Sequence, residues 1–401
     1  MGSLTGPFDV WPLLVEPAAR PLVAAISECV DPAHPSALTR FRKDWPTELV
    51  AGAVRLVLAR RKAAVKFPHS ECLVADPVGV EQATSLDVAR HKTRRFAECG
   101  VTEIIDLCCG IGGDAMAFAD ALDVCLVDAD PARVWMARHN VAQSVGWRVP
   151  AVAMDVTALR LPLRPFHIDP ERRTSDGRRQ HRFDEGKPDG TFLLALIDRV
   201  KDGALKLSPG VDLETLPPGE IELINWRGTL VQTVLWTGCL AREPSLRTAT
   251  RLPESTSFTG KPGLPIPCAG SGGYLLSVDP AIERAGLVGA LCQLLGLPAI
   301  YPTLGLLTAD TLPVSPWVTP YEHLETLPWH EKAVKAWLVA HDAGEVTVKT
   351  RDRVVDPDSV SMRLRGKGSQ GYTVFVMRMG QKVVAWITVT PGVIQTERGN
   401  L

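Results

Sequence analysis

The clearest chemistry in this 401-residue sequence lies in one acid and the glycine-rich turn that follows it. Asp106 stands four residues before Gly110, and the turn also carries Gly112 and Gly113. Because glycine has no Cβ, it lets backbone amide groups approach a ligand closely and adopts positive φ at little cost. An acid beside such a turn suits a ligand with a positive charge and an amino acid end. The stretch therefore predicts a site for a charged, nucleotide-like ligand.

The elements around the turn predict how such a ligand is held. The apolar run that ends at Leu107 predicts a buried strand, and a helix is predicted to begin at Asp114. This order brings backbone amides to the carboxyl end of a sheet strand, where cofactors bind in open α/β folds. The glycine order differs from the dinucleotide fingerprint, and the stretch has no P-loop motif. Dinucleotide and P-loop sites are therefore disfavoured.

Two more acids stand at the ends of predicted strands. The strand Asp123–Asp128 ends in an acid suited to both ribose hydroxyls of a nucleoside, and Pro131 then opens a helix. The strand Val152–Asp155 ends in an acid that can accept from an adenine amino group. S-adenosylmethionine combines a positive charge, an amino acid end and an adenosine. Three strand-end acids in register with one glycine turn therefore predict S-adenosylmethionine as the cofactor.

The same residues carry a family resemblance. Asp106–Gly113, followed by Val127–Pro131, resembles Rossmann-type S-adenosylmethionine-dependent methyltransferases, and among them the trimethylguanosine-synthase-like group of RNA methyltransferases. Glu81–Ser85 with Val88–His91 resembles the segment that closes over the cofactor in that group. The predicted cofactor-binding residues are Gln82, Thr84, Asp106, Cys108, Gly110, Gly112, Gly113, Asp128 and Asp155.

Later motifs imply a second module. Tyr274–Leu275, Asp279–Ala281 and Arg284–Gly286 resemble bacterial methyltransferases with a THUMP-like C-terminal domain. The resemblance implies an α/β fold, namely a Rossmann-type seven-stranded methyltransferase sheet with a helical N-terminal region and a small α+β C-terminal domain. The predicted domains are 1–98 (helical region), 99–285 (methyltransferase domain), 286–316 (connecting segment) and 317–401 (THUMP-like module).

Hydrophobic periodicity predicts the other elements. The predicted helices are Leu13–Cys29, Thr47–Val65, Asp87–Glu98 and Leu287–Leu297. The predicted late strands are Ala204–Leu207, Glu220–Ile224, Leu230–Trp236, Glu345–Lys349, Tyr372–Arg378 and Lys382–Val389. The second and third of these strands form a predicted hairpin, and so do the last two. Pro244–Pro267 is rich in Pro, Gly, Ser and Thr and is predicted to be a long loop.

The reaction is expected just after a fourth strand, Pro165–Ile168, where the chain reads Asp169-Pro170-Glu171-Arg172. In amino-directed methyltransferases an Asp or Asn is followed by two prolines and an aromatic. The acid or amide and a backbone carbonyl accept hydrogen bonds from the target amine, and the aromatic stacks on the base. Here Glu171 replaces the second proline and Arg172 the aromatic. Arg172 is expected to stack through its guanidinium plane or to pair with a phosphate.

The predicted catalytic residues are thus Asp169, Pro170 and Arg172. Capping of the next helix and a surface salt bridge are the alternative interpretations of Asp169 and Arg172. Because the aromatic is missing, guanine-N2 chemistry is not carried over from the family, and the acceptor atom stays open.

Composition limits the class of protein. The net charge of −1 means that any nucleic-acid site must be a local patch. Nine cysteines without a CxxC pair predict reduced thiols in a cytoplasmic protein, with no metal site. Cys108 and Cys109 are either redox-active or packed at a tight turn. No signal-peptide pattern and no run of about 18 apolar residues occurs, so no membrane partner is expected.

A basic excess lies between residues 349 and 382, around the glycine-containing loop Arg365–Gly368. It is interpreted as a nucleic-acid footprint or as the ordinary charged surface of an accessory domain. The basic residues are Lys349, Arg351, Arg353, Arg363, Arg365, Lys367, Arg378 and Lys382.

Together these features predict an enzyme that transfers a methyl group from S-adenosylmethionine to a base in structured RNA, with tRNA or rRNA as the expected class. Asp106 and the turn Gly110–Gly113 are expected to hold the methionine end, Asp128 the ribose and Asp155 the adenine edge. Two other interpretations stay open. One is a small-molecule or protein methyltransferase, and the other is a catalytically inactive RNA-binding protein that retains the cofactor fold. The oligomeric state is not predicted.

Overall fold

A computed structural model describes residues 10–158, 163–171, 182–351 and 353–392. The chain forms two compact units. The first comprises the residues up to 245 together with 251–255, and the second comprises 246–250 and the residues from 256 onward. In the described ranges, no helix has the length and the apolar character needed to cross a membrane.

The first unit begins with α-helices packed around one long central helix. They are α1 (Val10–Val15), α2 (Arg20–Ser27), α3 (Pro35–Phe41), α4 (Thr47–Ala63), α5 (Pro77–Gln82) and α6 (Leu86–Glu98). A Cβ on Gly52 of α4 would lie 2.6 Å from Cγ2 of Val10, so glycine permits this close helix contact. The predicted single helix Leu13–Cys29 is wrong. It breaks between α1 and α2, where Pro17 has no amide hydrogen to continue the helical bonding.

A sheet follows, with helices between its strands. Its strands in this unit are β1 (Glu103–Leu107), β2 (Asp123–Asp128), β3 (Ala151–Ala153), β4 (Phe166–Ile168), β5 (Gly203–Leu207), β6 (Glu220–Trp226) and β7 (Thr229–Thr237). The helices are α7 (Ala115–Phe118), α8 (Pro131–Val145) and α9 (Gly190–Val200).

The strand order is β3-β2-β1-β4-β5-β7-β6. The first five strands are parallel, whereas β7 runs antiparallel to β5 and β6. The predicted α/β architecture is therefore confirmed. The carboxyl ends of the parallel strands share one edge, and that edge is where such folds bind ligands.

Local signals set the boundaries of these elements. Asp130 caps α8 by accepting from the amide of Ala132 at 2.8 Å, and Pro131 occupies the first turn. The hairpin between β6 and β7 turns through Arg227 and Gly228, with φ of 52° and 81°. Two consecutive residues with positive φ match the twist of a two-residue hairpin, which confirms the predicted connection.

The core of this unit joins its helices to its sheet. Phe96 of α6 packs edge-on against both Phe118 of α7 and Trp236 of β7, each at 5.7 Å between ring centroids. All three side chains are fully buried. The helical region and the sheet therefore share one hydrophobic core.

The prediction of a long loop at Pro244–Pro267 is wrong. The segment contains β8 (Arg247–Leu252) and β9 (Thr256–Gly260). Hydroxyl groups pair across these strands, Thr248 with Thr259 and Thr250 with Ser257, each at 2.9 Å. Alternating β-branched Thr residues favour paired strands, and they outweigh the flanking Pro and Gly signals.

The second unit contains a six-stranded sheet in the order β11-β10-β12-β15-β14-β13. Its strands are β10 (Tyr274–Val278), β11 (Leu306–Ala309), β12 (Val318–Pro328), β13 (Ala343–Thr350), β14 (Gln370–Met379) and β15 (Lys382–Val389). Its helices are α10 (Pro280–Arg284), α11 (Val288–Leu295), α12 (Glu331–Ala340) and α13 (Pro357–Leu364). Because β10 pairs with β11 and β12, this unit begins well before the domain boundary predicted at residue 285.

Candidate active site

Backbone hydrogen bonds gather the ends of neighbouring strands at the carboxyl edge of the first sheet. The amide of Cys109 donates to the carbonyl of Val127 at 3.1 Å, and the amide of Asp169 donates to that of Leu107 at 3.2 Å. The amide of Met154 donates to the carbonyl of Asp128 at 2.9 Å. The glycine turn, the second and third strand-end acids and Asp169 therefore converge on this edge.

The glycine turn leaves space on one side and packs tightly on the other. Gly110 has a φ of 55°, and a Cβ there would meet no heavy atom within 4 Å. By contrast, a Cβ on Gly113 would lie 3.0 Å from the carbonyl oxygen of Thr84. The turn thus supports the segment that precedes α6 and keeps an open face at Gly110. An open backbone face of this kind fits the close approach of a ligand.

The buried side chain of Asn140 on α8 is hydrogen-bonded to this turn. Its side-chain amide donates to the carbonyl oxygens of Val74 and Ile111, both at 2.9 Å, and its oxygen accepts from the amide of Val74 at 2.8 Å. One buried side chain thereby connects the loop before α5 to the glycine turn.

Asp128, predicted to bind the ribose, stands beside the turn. Its two carboxylate oxygens accept from the amides of Gly110 at 2.9 Å and Asp130 at 3.0 Å. Burial raises the pKa of this carboxyl, and the two amides oppose the rise. A carboxylate has about four lone-pair directions, so these two bonds leave acceptor capacity for hydroxyl groups.

Asp155, predicted to meet the adenine edge, lies just beyond β3. It is exposed, and one oxygen accepts from the amide and the hydroxyl of Thr157 at 2.8 and 2.7 Å. These hydrogen bonds hold its pKa below the ordinary value. Asp155 thus stays a charged acceptor next to the strand end that carries Asp128.

Asp106 lies below the turn rather than at its surface. Its side chain is 1% exposed, and one oxygen lies 2.7 Å from Nδ1 of His167 on β4. The other oxygen has no hydrogen-bond partner among the described residues. Burial raises the pKa of Asp106, and His167 opposes the rise. The geometry favours an indirect role for Asp106, as a buried carboxyl group beneath the turn, over direct contact with a ligand.

A fully buried lysine completes this cluster. Nζ of Lys92 on α6 lies 2.6 Å from Asp114 and 2.9 Å from Nε2 of His167. The hydroxyl of Thr84 donates to Asp114 at 2.7 Å. Burial alone would raise the pKa of Asp114, but the charges of Lys92, His167 and Lys206 lower it below its usual range.

We name Lys92, Asp106, Asp114 and His167 the buried charge cluster. It links the helix α6, the glycine turn and the fourth strand. From the sequence, His167 is predicted only to lie in the strand Pro165–Ile168, and Lys92 has no predicted role. The hydroxyl of Thr84, a predicted cofactor contact, donates to Asp114 of this cluster.

A second lysine holds the segment that carries Gln82. Nζ of Lys66 donates to the carbonyls of Val80 and Glu81 at 2.9 Å and to that of Ala83 at 2.7 Å. Burial, together with the charge of Lys206, lowers the pKa of Lys66 to about 8. Gln82 is exposed, and its own carbonyl accepts from Lys206 at 3.1 Å.

Asp169 follows β4 directly and forms an ion pair. One carboxylate oxygen lies 2.5 Å from Nζ of Lys206 on β5, with side-chain exposures of 29% and 13%. Pro170 is buried, and Glu171 pairs with Lys187 through two backbone hydrogen bonds of 2.8 Å. Arg172, the third predicted catalytic residue, lies outside the described residues.

A small apolar recess adjoins Pro170. Its walls include Phe183, Leu193, Leu207 and Val211. The antiparallel backbone pairing of Glu171 with Lys187 keeps the chain around Lys187 beside Pro170. The structure thus brings an apolar surface next to Pro170, one of the predicted catalytic residues.

The two cysteines of the turn are poor nucleophiles. Burial, with nearby acids, raises the pKa of both the Cys108 and the Cys109 thiol. Cys108 also has a φ of 57°, which is unusual for a residue with a Cβ. These features favour packing in the turn over redox chemistry. Among the residues that the structure covers, no group of three or more His, Cys, Asp and Glu side chains is arranged to hold a metal ion.

The basic residues between positions 349 and 382 divide into two groups. Lys349 contacts the hydroxyl of Tyr321 at 2.6 Å, and Arg351 and Arg363 pair with Glu283 and Glu331. The remaining described members are exposed, namely Arg353, Arg365, Lys367, Arg378 and Lys382.

In the glycine loop near residue 366, the backbone amides of both glycines are already hydrogen-bonded within the protein. The amides of Gly366 and Gly368 donate to the carbonyls of Gly344 and Ala343 at 2.9 and 3.0 Å. A Cβ at either glycine would lie about 2 Å from a carbonyl oxygen. These glycines therefore serve close backbone packing, and an anion would have to be bound by the exposed side chains.

Comparisons with known proteins cover both units. Residues 318–389 match the family model of the THUMP domain-like group. Two uncharacterized S-adenosylmethionine-dependent methyltransferases of Mycobacterium tuberculosis, from strains CDC 1551 and H37Rv, are 32% identical over 349 residues, covering 84% of this chain and 94% of each relative. A crystal structure from Porphyromonas gingivalis W83, assigned as a methyltransferase, covers 93% of this chain and 99% of its own with a TM-score of 0.73 at 17% identity.

Proposed function

Because the chain belongs to the S-adenosylmethionine-dependent methyltransferases, the family of its mycobacterial relatives, we propose that it methylates a base in structured RNA, of the tRNA or rRNA class. Its cofactor is S-adenosylmethionine. The observation that carries the proposal is the position of Asp169, whose backbone is hydrogen-bonded to the end of β1 beside the glycine turn. An acid there can hold an acceptor next to the cofactor site.

We propose a division of labour among the cofactor residues. The open face at Gly110 admits the cofactor, and Gly112, Gly113 and Cys108 shape the turn. Asp128 binds the ribose hydroxyls, and Asp155 the adenine edge. Gln82 and Thr84 belong to the segment that covers the cofactor, while Asp106 supports the turn from below and attracts the positive end of the ligand.

The chemistry needs alignment more than a strong base. S-adenosylmethionine supplies a methyl group on a positively charged sulfur. Asp169 accepts a hydrogen bond from an acceptor amine, and the carbonyl of Pro170 accepts another, so that the nitrogen lone pair faces the methyl group. Holding two reactants in such geometry contributes much of a rate enhancement by itself. Arg172 is proposed as an auxiliary contact to the base or to a phosphate.

RNA is proposed as the substrate because of the second unit. THUMP-like modules are associated with RNA binding, and the matched residues 318–389 include the exposed Arg378 and Lys382. These side chains can contact phosphates without any base preference. We expect the full chain to bind tRNA with an affinity that falls steeply as salt increases, and such binding would support this substrate class.

Loss of one modification is the result that we expect in cells. RNA from cells that lack this chain should miss a methylated nucleoside that is present in the parent, and the purified protein should restore it with labelled S-adenosylmethionine. Mass spectrometry of digested tRNA and rRNA measures both. Unchanged RNA with a methylated small molecule or protein would favour the other substrate classes. RNA binding without any methyl transfer would favour an inactive RNA-binding protein.

Replacing Asp128 tests the cofactor site independently of the substrate. We expect Asp128→Ala to weaken S-adenosylmethionine binding by about 1–3 kcal/mol, because ribose hydroxyls lose a partly buried acceptor. Isothermal titration calorimetry measures the change. Asp123→Ala is the matched control, since Asp123 is an exposed acid at the other end of the same strand. Equal affinities of Asp128→Ala and the unmodified protein would remove Asp128 from the site.

A further inference from the structure

Lys206 occupies a position that joins the two halves of the proposed site. It lies on β5, and its ammonium contacts Asp169 at 2.5 Å and the carbonyl oxygen of Gln82 at 3.1 Å. Its side chain is only 13% exposed. One ammonium group therefore contacts both Asp169, which is proposed to orient the methyl acceptor, and the segment proposed to cover the cofactor.

The carbonyl groups around Gln82 are shared between two lysines. Lys66 donates to the carbonyls of Val80, Glu81 and Ala83. Lys206 donates to the carbonyl of Gln82. Two like charges close together are unfavourable unless each has its own anionic or carbonyl partners. Among the described residues, the ammonium of Lys66 contacts only these three carbonyls, whereas that of Lys206 also pairs with Asp169. The pairing to Asp169 is thus the feature that distinguishes Lys206.

A carboxylate on a strand end can rotate unless something fixes it. The ammonium of Lys206 binds one oxygen of Asp169, and Gln82 fixes the ammonium in turn. A charge-assisted hydrogen bond of this length holds a defined geometry. The orientation of Asp169 then depends on whether the carbonyl of Gln82 is in place to bind Lys206.

We infer that Lys206 is a positioning residue that orients Asp169 for the acceptor and couples it to the covering segment. The inference rests on the proposed role of Asp169. Because Lys206 acts through Asp169, its loss should lower turnover and leave cofactor affinity nearly unchanged. Lys206 itself need not touch either reactant.

The test is a double-mutant cycle between Lys206 and Asp169. Methyl transfer is measured with labelled S-adenosylmethionine and total RNA from cells that lack this chain. We expect Lys206→Met to lower kcat at least about 10-fold with less than a threefold change in KM for S-adenosylmethionine, and Lys206→Arg to recover part of the loss. In an Asp169→Ala background, Lys206→Met should cause less than about a twofold further loss.

Lys201→Met is the matched control, because Lys201 is an exposed lysine just before the same strand and pairs with Asp198 on the surface. Thermal unfolding of each variant identifies any that fail to fold, in which case Lys206→Gln replaces Lys206→Met. A normal kcat for Lys206→Met, or losses that multiply in the double variant, overturns the inference while Asp169→Ala stays impaired. A fully active Asp169→Ala overturns the proposed role of Asp169 as well.

Discussion

Asp169→Ala is expected to reduce kcat for methyl transfer by about 100-fold or more, because the acceptor loses the group that aligns it with the cofactor. The carboxylate lies at the end of β4, 2.5 Å from Lys206, and its backbone is bonded to Leu107 at the end of β1. Removal of the side chain leaves these backbone elements in place. Affinity for S-adenosylmethionine should therefore change by less than about threefold, as titration calorimetry can measure.

Two further variants sharpen this prediction. Asp169→Asn keeps an acceptor oxygen and should retain more activity than Asp169→Ala. Asp198→Ala removes an acid that is 87% exposed on α9 and should behave like the unmodified protein. If Asp169→Ala transfers methyl groups at the normal rate, the acceptor site lies elsewhere on the sheet edge.

The largest expected effect on stability comes from Lys92→Met in the buried charge cluster. We expect it to lower the free energy of unfolding by about 3–5 kcal/mol, because Asp114 would keep a buried charge without its nearest cation. Lys92 is completely buried and Asp114 is 7% exposed, so water cannot replace the lost partner. Urea unfolding followed by circular dichroism gives the free energy.

The double variant Lys92→Met with Asp114→Asn separates the effect of the lost charge on the free energy of unfolding from the effect of altered packing. It removes both charges and should recover more than half of the lost free energy. Lys62→Met provides the exposed comparison, since the Lys62–Glu81 pair is about half exposed and such pairs contribute about 0–1 kcal/mol. A loss of less than about 1 kcal/mol for Lys92→Met would mean that Asp114 is protonated or solvated in the folded protein.

Short, sharply bounded elements could be predicted from the sequence. The strand Asp123–Asp128 has the predicted bounds because an apolar run lies between two acids and Pro131 starts the next helix. The strand Val318–Pro328 has no such signals. Pro320 lies within it, the chain bulges between His323 and Glu325, and most of its side chains are partly exposed. Its place between β10 and β15 depends on tertiary pairing that no local pattern carries.

In the candidate site, too, some contacts could be predicted from the sequence and others could not. The proximity of Asp128 to Gly110 follows from topology, because Asp128 ends β2 and Gly110 lies just beyond the end of the neighbouring parallel strand β1. The contact between Lys92 and His167 joins residues 75 positions apart, on a helix and a strand. A local signal exists nonetheless, since Val88, Lys92 and Phe96 recur every four residues on one helix face. A lysine within such an apolar row indicates a buried cation, but not its partner.

The side-chain amide of Asn140 has a consequence for how the protein folds. Through Val74 and Ile111 it ties the N-terminal helical region to the glycine turn, and the two regions also share one apolar core. Neither region can lose its structure without exposing the other's interior. We therefore expect the two regions to unfold as a single cooperative unit, with the helical region as an integral part of the catalytic domain. A truncated chain that begins at residue 99 lacks the residues around Val74 and Thr84 that pack against its cofactor turn.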